Sequence, residues 1–367
     1  MRSLLIIVVA LAIAGGRANA YPQFQLSKDQ TCTSCHLSPS GGGLLNENGA
    51  NVAEAMSMFG QNPAFMYGAI ETPDWLSLGG DLRGQWGYLQ APQRYLIGFP
   101  MQLDAYAAAT KNNFSLHATV GYRTHQEGNE ALTTVWAREL YGMWQSEPGS
   151  SYGLFARVGQ FMPVFGLRWV EHPLYVRRYG GTPLFSETPA VSVSYITGQY
   201  EVHATGFTKN PLYDPVRLSS GGALYGEYRL GEHTQIGAGG MYEHQDWEYK
   251  LRGELTAKQY LPGPDLLLQA EVQLINPHVS GYGYRGLASV LMATYFMPKG
   301  VMIDAAWQHY DENLRIKDLD RDGFDLNVHW FATSHIELIL ANQVEFMAFG
   351  KGGPTGAYSF LQLHYRL

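Results

Sequence analysis

From about Trp75 to Leu367 apolar and polar residues alternate one by one in many segments, and no apolar run there is long enough to be a membrane helix. Phe114, Leu116, Ala118, Val120 and Tyr122 interleave with Ser115, His117, Thr119, Gly121 and Arg123. Leu268, Ala270, Val272 and Leu274 do so with Gln269, Glu271 and Gln273, and Phe324, Leu326, Val328 and Trp330 with Asp325, Asn327 and His329. A period of two puts one set on each face of a strand. One face suits lipid and the other water. Peptide groups in hydrocarbon need partners within the protein, so strands of this kind must close into a barrel.

The connections predict the number of strands. Short turns are expected near 111–113, 147–149, 197–199, 231–233, 262–264, 298–300 and 333–335. Longer stretches lie between them, near 90–98, 125–133, 163–188, 209–219, 243–247, 276–284, 311–323 and 349–355. Short periplasmic turns alternating with long external loops imply an all-β transmembrane barrel of about 16 antiparallel strands over residues 75–367. A soluble sandwich also alternates but lacks that asymmetry. The last segment sets Leu361, Leu363, Tyr365 and Leu367 against Gln362, His364 and Arg366, and it resembles the closing strand of bacterial outer-membrane proteins with Leu in place of the usual Phe. Charged residues at 16%, aromatics at 13% and 42 glycines fit strands and turns.

The first twenty residues read as a signal peptide, with Arg2, an apolar run from Leu4 to Ala14 and the small-residue site Ala18-Asn19-Ala20. That run is too short to span a bilayer. Of the 25 Lys and Arg, Arg2 and Arg17 fall in this leader, so the remainder carries about −9, which argues against nucleic acid as a partner.

Residues 21–74 form a separate module holding the only two cysteines, in Cys32-Thr33-Ser34-Cys35-His36. This CxxCH pattern is the attachment signal of a c-type haem: two thiols three apart can each bond a vinyl group, and the adjacent imidazole reaches the iron. Cys32 and Cys35 are therefore the expected cofactor-binding residues and His36 the metal ligand, for one covalent haem c. The alternative is a structural or redox disulfide. Gly41-Gly42-Gly43 and Asn46-Glu47-Asn48-Gly49 are turn-forming, and Ala50 to Phe59 reads as a short helix.

The second axial position stays open among Met56, Met58 and Met66 and the lumen-side His117, His203, His329 and His364. The longest loop, Pro163 to Thr188, carries Arg168, His172, Arg177 and Arg178, which either line a constriction or are solvated loop charges. Asp318-Leu319-Asp320-Arg321-Asp322-Gly323 matches the start of a calcium loop, but position twelve is His329 instead of Glu, so it reads as a charged external loop.

A CxxCH module followed by a porin-like barrel resembles the fused cytochrome-porin family, best known from outer-membrane iron-oxidising cytochromes. The segment Arg157 to Leu167 also looks like the strand and turn entering the long loop of phosphate-selective-type porins. The family resemblance implies electron transfer across the bacterial outer membrane, between a periplasmic electron carrier and an extracellular electron donor or acceptor such as iron, with outer-membrane lipid around the barrel. The rival expectation is an anion- or solute-selective porin with an N-terminal periplasmic plug.

Overall fold

A computed structural model describes residues 23–367 apart from 28–29, 91–92, 128–129, 184, 211–218, 247, 280 and 298; the expected signal peptide, 1–20, lies outside the described residues. Three short helices, α1 (Phe24–Ser27), α2 (Cys32–Cys35) and α3 (Glu47–Met56), and a 3-10 turn (Phe65–Gly68) precede strands β1 (Leu76–Gln90) to β17 (Gly356–Arg366). Sixteen of these strands are long, and β12 (Tyr282–Gly283) is a two-residue addition in a loop. Each long strand pairs antiparallel with its sequence neighbours, and β1 pairs with both β2 (Arg94–Lys111) and β17, from Asp81 opposite Arg366 to Gln90 opposite Ala357. The sheet is a closed antiparallel barrel.

Its burial pattern is inverted relative to a soluble protein. In β7 (Tyr200–Phe207) Glu201, His203 and Thr205 are buried, whereas Tyr200 and Val202 face outward. The same holds in β11 (Leu266–Val279), where Gln269, Glu271 and Gln273 are inside and Val272 and Leu274 outside. Polar side chains fill the lumen, and the apolar exterior is what hydrocarbon requires. Tyr195, Tyr200, Tyr228 and Tyr295 ring the short-turn end, while Trp86, Tyr88, Tyr242, Tyr249 and Trp307 lie on the outside toward the other end, as interfacial aromatic girdles do.

At three expected loops the flanking strands run further than the sequence suggests. β2 already starts at Arg94, β3 (Phe114–Glu127) is followed by β4 (Glu130–Gln145), and β9 (Thr234–Gln245) by β10 (Glu248–Leu261). Polar composition marks these stretches as loops, yet antiparallel pairing satisfies the backbone outside the membrane as well as inside it. The strands therefore continue past the hydrocarbon. The calcium-loop match dissolves for the same reason, since Arg321–Phe331 is β15 and His329 is a lumen residue between Asp304 and Glu337.

The N-terminal module sits in the short-turn end of the barrel. A four-residue helix such as α1 is unstable alone. It is held because Leu26 packs on Tyr260 and Leu267, and Phe24 on Met302 and Phe331, each burial contributing about 2 kcal/mol. Met58 N–H and Phe59 N–H donate to Phe331 O and Ala332 O at 2.8 and 3.0 Å. Lumen cations complete the seat: Arg157 donates to Ser38 Oγ and Ser40 Oγ at 3.3 and 3.0 Å, Arg229 to the Gln30 carbonyl and Lys258 to Gln25 Oε1.

Candidate functional site

α2 is a single turn closed by His36 N–H donating to Cys32 O at 2.9 Å, so the two thiols project from one face with the imidazole just past the helix end. α3 crosses against it. Asn46 caps α3 by accepting from Gly49 N–H at 2.9 Å, which starts the helix at Glu47, three residues ahead of the expected Ala50. Asn46 Nδ2 also donates to Thr33 O at 3.0 Å, and Asn48 Nδ2 to Ser34 O at 2.8 Å. The crossing needs Gly49, because a Cβ there would stand 2.1 Å from the Cys35 carbonyl oxygen.

Cys32, Cys35 and His36 line one cavity of about 110 Å³. Its other walls include Gly41-Gly42-Gly43 and the barrel residues Asp81, Arg83 and Arg366, together with Arg168. The three glycines have φ of +77°, +75° and +60°, a left-handed run that other residues enter at a cost. A Cβ on Gly41 would reach within 3.4 Å of Cys32 Sγ. Both cysteines are thiols, and burial pushes each up to about 11, with the Cys32 charge adding to the effect at Cys35. They are protonated at neutral pH, and conversion to thioethers would remove two buried titratable groups. Paired thiols with an adjacent imidazole are the donor set that a covalently held haem uses.

A second cavity of about 290 Å³ shares Ser40, Gly41-Gly42-Gly43, Asp81, Arg83, Arg168 and Val170 with the first. It is bounded by the segment between β5 (Gly153–Phe161) and β6 (Thr188–Ile196), the longest loop, as expected from sequence. That segment folds into the lumen because buried acceptors on the wall hold its backbone. Gly166 N–H donates to Glu254 at 2.7 Å, Leu167 N–H and Trp169 Nε1–H to Glu271 at 2.9 Å, and Tyr175 N–H to Gln308 at 2.6 Å. Leu167, Trp169, Leu174 and Val176 pack on Ile275, Val290 and Met292. Arg168, His172 and Arg177 line the cavity, whereas Arg178 is half-exposed and lies 3.9 Å from Glu345. Burial, reinforced by the Arg177 charge, holds His172 down at about 4, so it is neutral there.

The candidates for the second axial position are placed elsewhere. Met56 packs with Phe24, Met302 and Phe331, Met58 lies against Gly300, and Met66 is partly exposed on the 3-10 turn. His329 and His364 share Glu337, His203 contacts Ser194, and His117 stacks on Tyr141 at 4.7 Å. None of these seven is among the residues lining the cavity with His36. Spacing along the chain offers no signal for where these side chains pack. The contribution of Arg83, Arg366 and Asp81 to the cavity is likewise invisible in sequence.

No protein-family model and no curated protein sequence matches the chain. Solved structures do: OmpT (in-vitro folded), an outer-membrane protein of Vibrio cholerae, matches with a TM-score of 0.59 at 14% identity, covering 82% of this chain and 100% of that one. This chain has the fold of porin-like outer-membrane barrels. The anion-selective porin from Comamonas acidovorans (TM-score 0.56, 11% identity, 79% of this chain and 98% of that one) and the outer-membrane channel DcaP of Acinetobacter baumannii (0.56, 11%, 80% and 97%) share it. The covered share is about that of Leu76–Arg366 in the whole chain, and the share outside the likeness is about the size of residues 1–75.

Proposed function

We propose that the chain is a bacterial outer-membrane barrel that carries a c-type haem in its lumen and passes single electrons between a periplasmic carrier and a small external donor or acceptor. The observation that carries this reading is the convergence of Cys32, Cys35 and His36 on a lumen cavity that shares a wall with a larger one. Cys32 and Cys35 would hold the porphyrin through thioethers, and His36 would ligate the iron from one side. A bound haem supplies one-electron chemistry at its iron. The module brings α2 into the barrel from the short-turn end, where a soluble periplasmic carrier can dock. The inserted loop leaves the second cavity as a polar space in which a small reactant from outside can come close to the same group.

A solute-selective porin is the second reading, and the structural likenesses by themselves favour it, since two of those neighbours are described as a porin and a channel. Arg83, Arg138, Arg168 and Arg177 in the larger cavity also suit a channel, although Asp81, Asp104, Glu139 and Glu187 line it in equal number. The two readings separate in one preparation. Protein produced with haem-maturation machinery should show covalent haem on denaturing electrophoresis and a sharp reduced α-band. Cys32→Ala, Cys35→Ala and His36→Ala should lose or disable that haem while the barrel still inserts. A colourless, ion-conducting barrel would replace electron transfer with the porin reading.

A further inference from the structure

Arginines outnumber carboxylates among the residues lining the cavity beside Cys32, Cys35 and His36. Three arginines, Arg83, Arg168 and Arg366, line it against one carboxylate, Asp81. That carboxylate is already engaged, by His364 at 2.8 Å, the Tyr106 hydroxyl at 2.8 Å and Arg366 at 3.8 Å. Arg168 stands out among the cations. Its side chain is 10% exposed, one terminal nitrogen is spent on Glu201 with Glu227 at 3.5 Å, and its Nε and Nη1 are buried without a partner. Leaving a buried donor unsatisfied is unfavourable. The residue also holds φ +58°, directly after the Gly166 and Leu167 amides that Glu254 and Glu271 hold. A planar cation with two open donors, lining a cavity beside two further arginines, is suited to a carboxylate.

We infer that Arg168, with Arg83 and Arg366, forms a carboxylate-binding site facing the CxxCH motif across the smaller cavity. Two sources supply that chemistry. One is the pair of carboxylates on the edge of a haem held by Cys32 and Cys35, which rests on the function proposed above. The other is a small carboxylate solute arriving through the larger cavity, whose wall Arg168 shares.

Arg168→Gln and Arg168→Lys distinguish them, each made in the full chain and again on a Cys32→Ala/Cys35→Ala background, with folding checked by heat-modifiable electrophoretic migration. Removing the cation favours oxidised iron. If the haem supplies the carboxylate, Arg168→Gln lowers its midpoint potential by about 59 mV, a tenfold change in the oxidised-to-reduced ratio for one electron, with haem still attached. Arg168→Lys, which keeps the charge but loses the planar fork, shifts it less. If a solute supplies it, succinate binding to the cysteine-free barrel, measured by calorimetry, weakens at least tenfold in Arg168→Gln. Folded variants that change neither readout overturn the inference, and Arg168→Lys carries the test if Arg168→Gln does not fold. A wild-type barrel without covalent haem would count against the proposed function and leave the succinate measurement to decide this site.

Discussion

Replacing Gly49 by alanine sets two effects of opposite sign against each other. Gly49 is the third residue of α3, and in a helix interior alanine is favoured over glycine by about 1 kcal/mol. Against this, the new Cβ would lie 2.1 Å from Cys35 O, and real contacts of this kind stay beyond 3.0 Å, so α2 and α3 must part by at least 0.9 Å. That displacement acts on three hydrogen bonds joining the helices, from Asn46 N–H to Cys35 O, Asn46 Nδ2 to Thr33 O and Asn48 Nδ2 to Ser34 O. At about 1 kcal/mol each they outweigh the propensity gain and leave a net loss of about 2 kcal/mol. Since 1.4 kcal/mol is tenfold, local opening of the module should rise about thirtyfold. Hydrogen exchange followed by mass spectrometry reads this directly: peptides spanning residues 30–50 should exchange faster in Gly49→Ala, with the barrel strands unchanged. Equal or slower exchange there would show that propensity wins, and would refute the close crossing as the reason for glycine.

Other expectations follow from the lumen. Glu271→Ala removes the acceptor shared by Leu167 N–H and Trp169 Nε1–H, so exchange in residues 165–170 should rise at least tenfold and single-channel conductance should increase; unchanged loop protection would contradict the assigned anchor. Glu171 in the same loop is raised to about 7 from an ordinary 4.5, by burial first and then by the Asp304 charge. A raised carboxyl contributes stability that is present below 4.5 and lost as pH climbs through 7. Glu171→Gln should therefore gain thermal stability relative to wild type as pH rises from 4.5 to 7, and parallel curves would reject the assignment. Arg157→Met keeps the contact with the Phe161 ring, over which the guanidinium sits at 4.2 Å, but drops the bonds to Ser38 and Ser40. It should loosen residues 37–43, measured by exchange, with little change in the barrel melt.

Much of this architecture was legible along the chain because each strand has two solvents. A residue's neighbours at i±2 decide which face it joins, so alternation alone distinguished lipid-facing Val272 and Leu274 from lumen-facing Gln273, and the turns between strands set their number. Loop extent was less legible: pairing reaches Gln90 opposite Arg94 and Glu127 opposite Glu130, because it continues wherever two strands stay adjacent, whatever the polarity of their side chains. At the site, Cys32, Cys35 and His36 declare themselves by spacing within one helical turn, and Gly41-Gly42-Gly43 by composition.

Alternation and spacing along the chain specify an inward-polar barrel, a module ahead of it and a thiol pair with an adjacent imidazole, because each is a pattern among near neighbours. Packing across the lumen sets what surrounds those thiols. Arg83 and Arg366 come from strands that meet when the barrel closes, and Arg168 from a loop drawn inward by Glu254 and Glu271. Met56, Met58 and Met66 are not among the residues that line the cavity with His36. Lumen contacts join residues far apart in the chain, and no local period records which of them will meet.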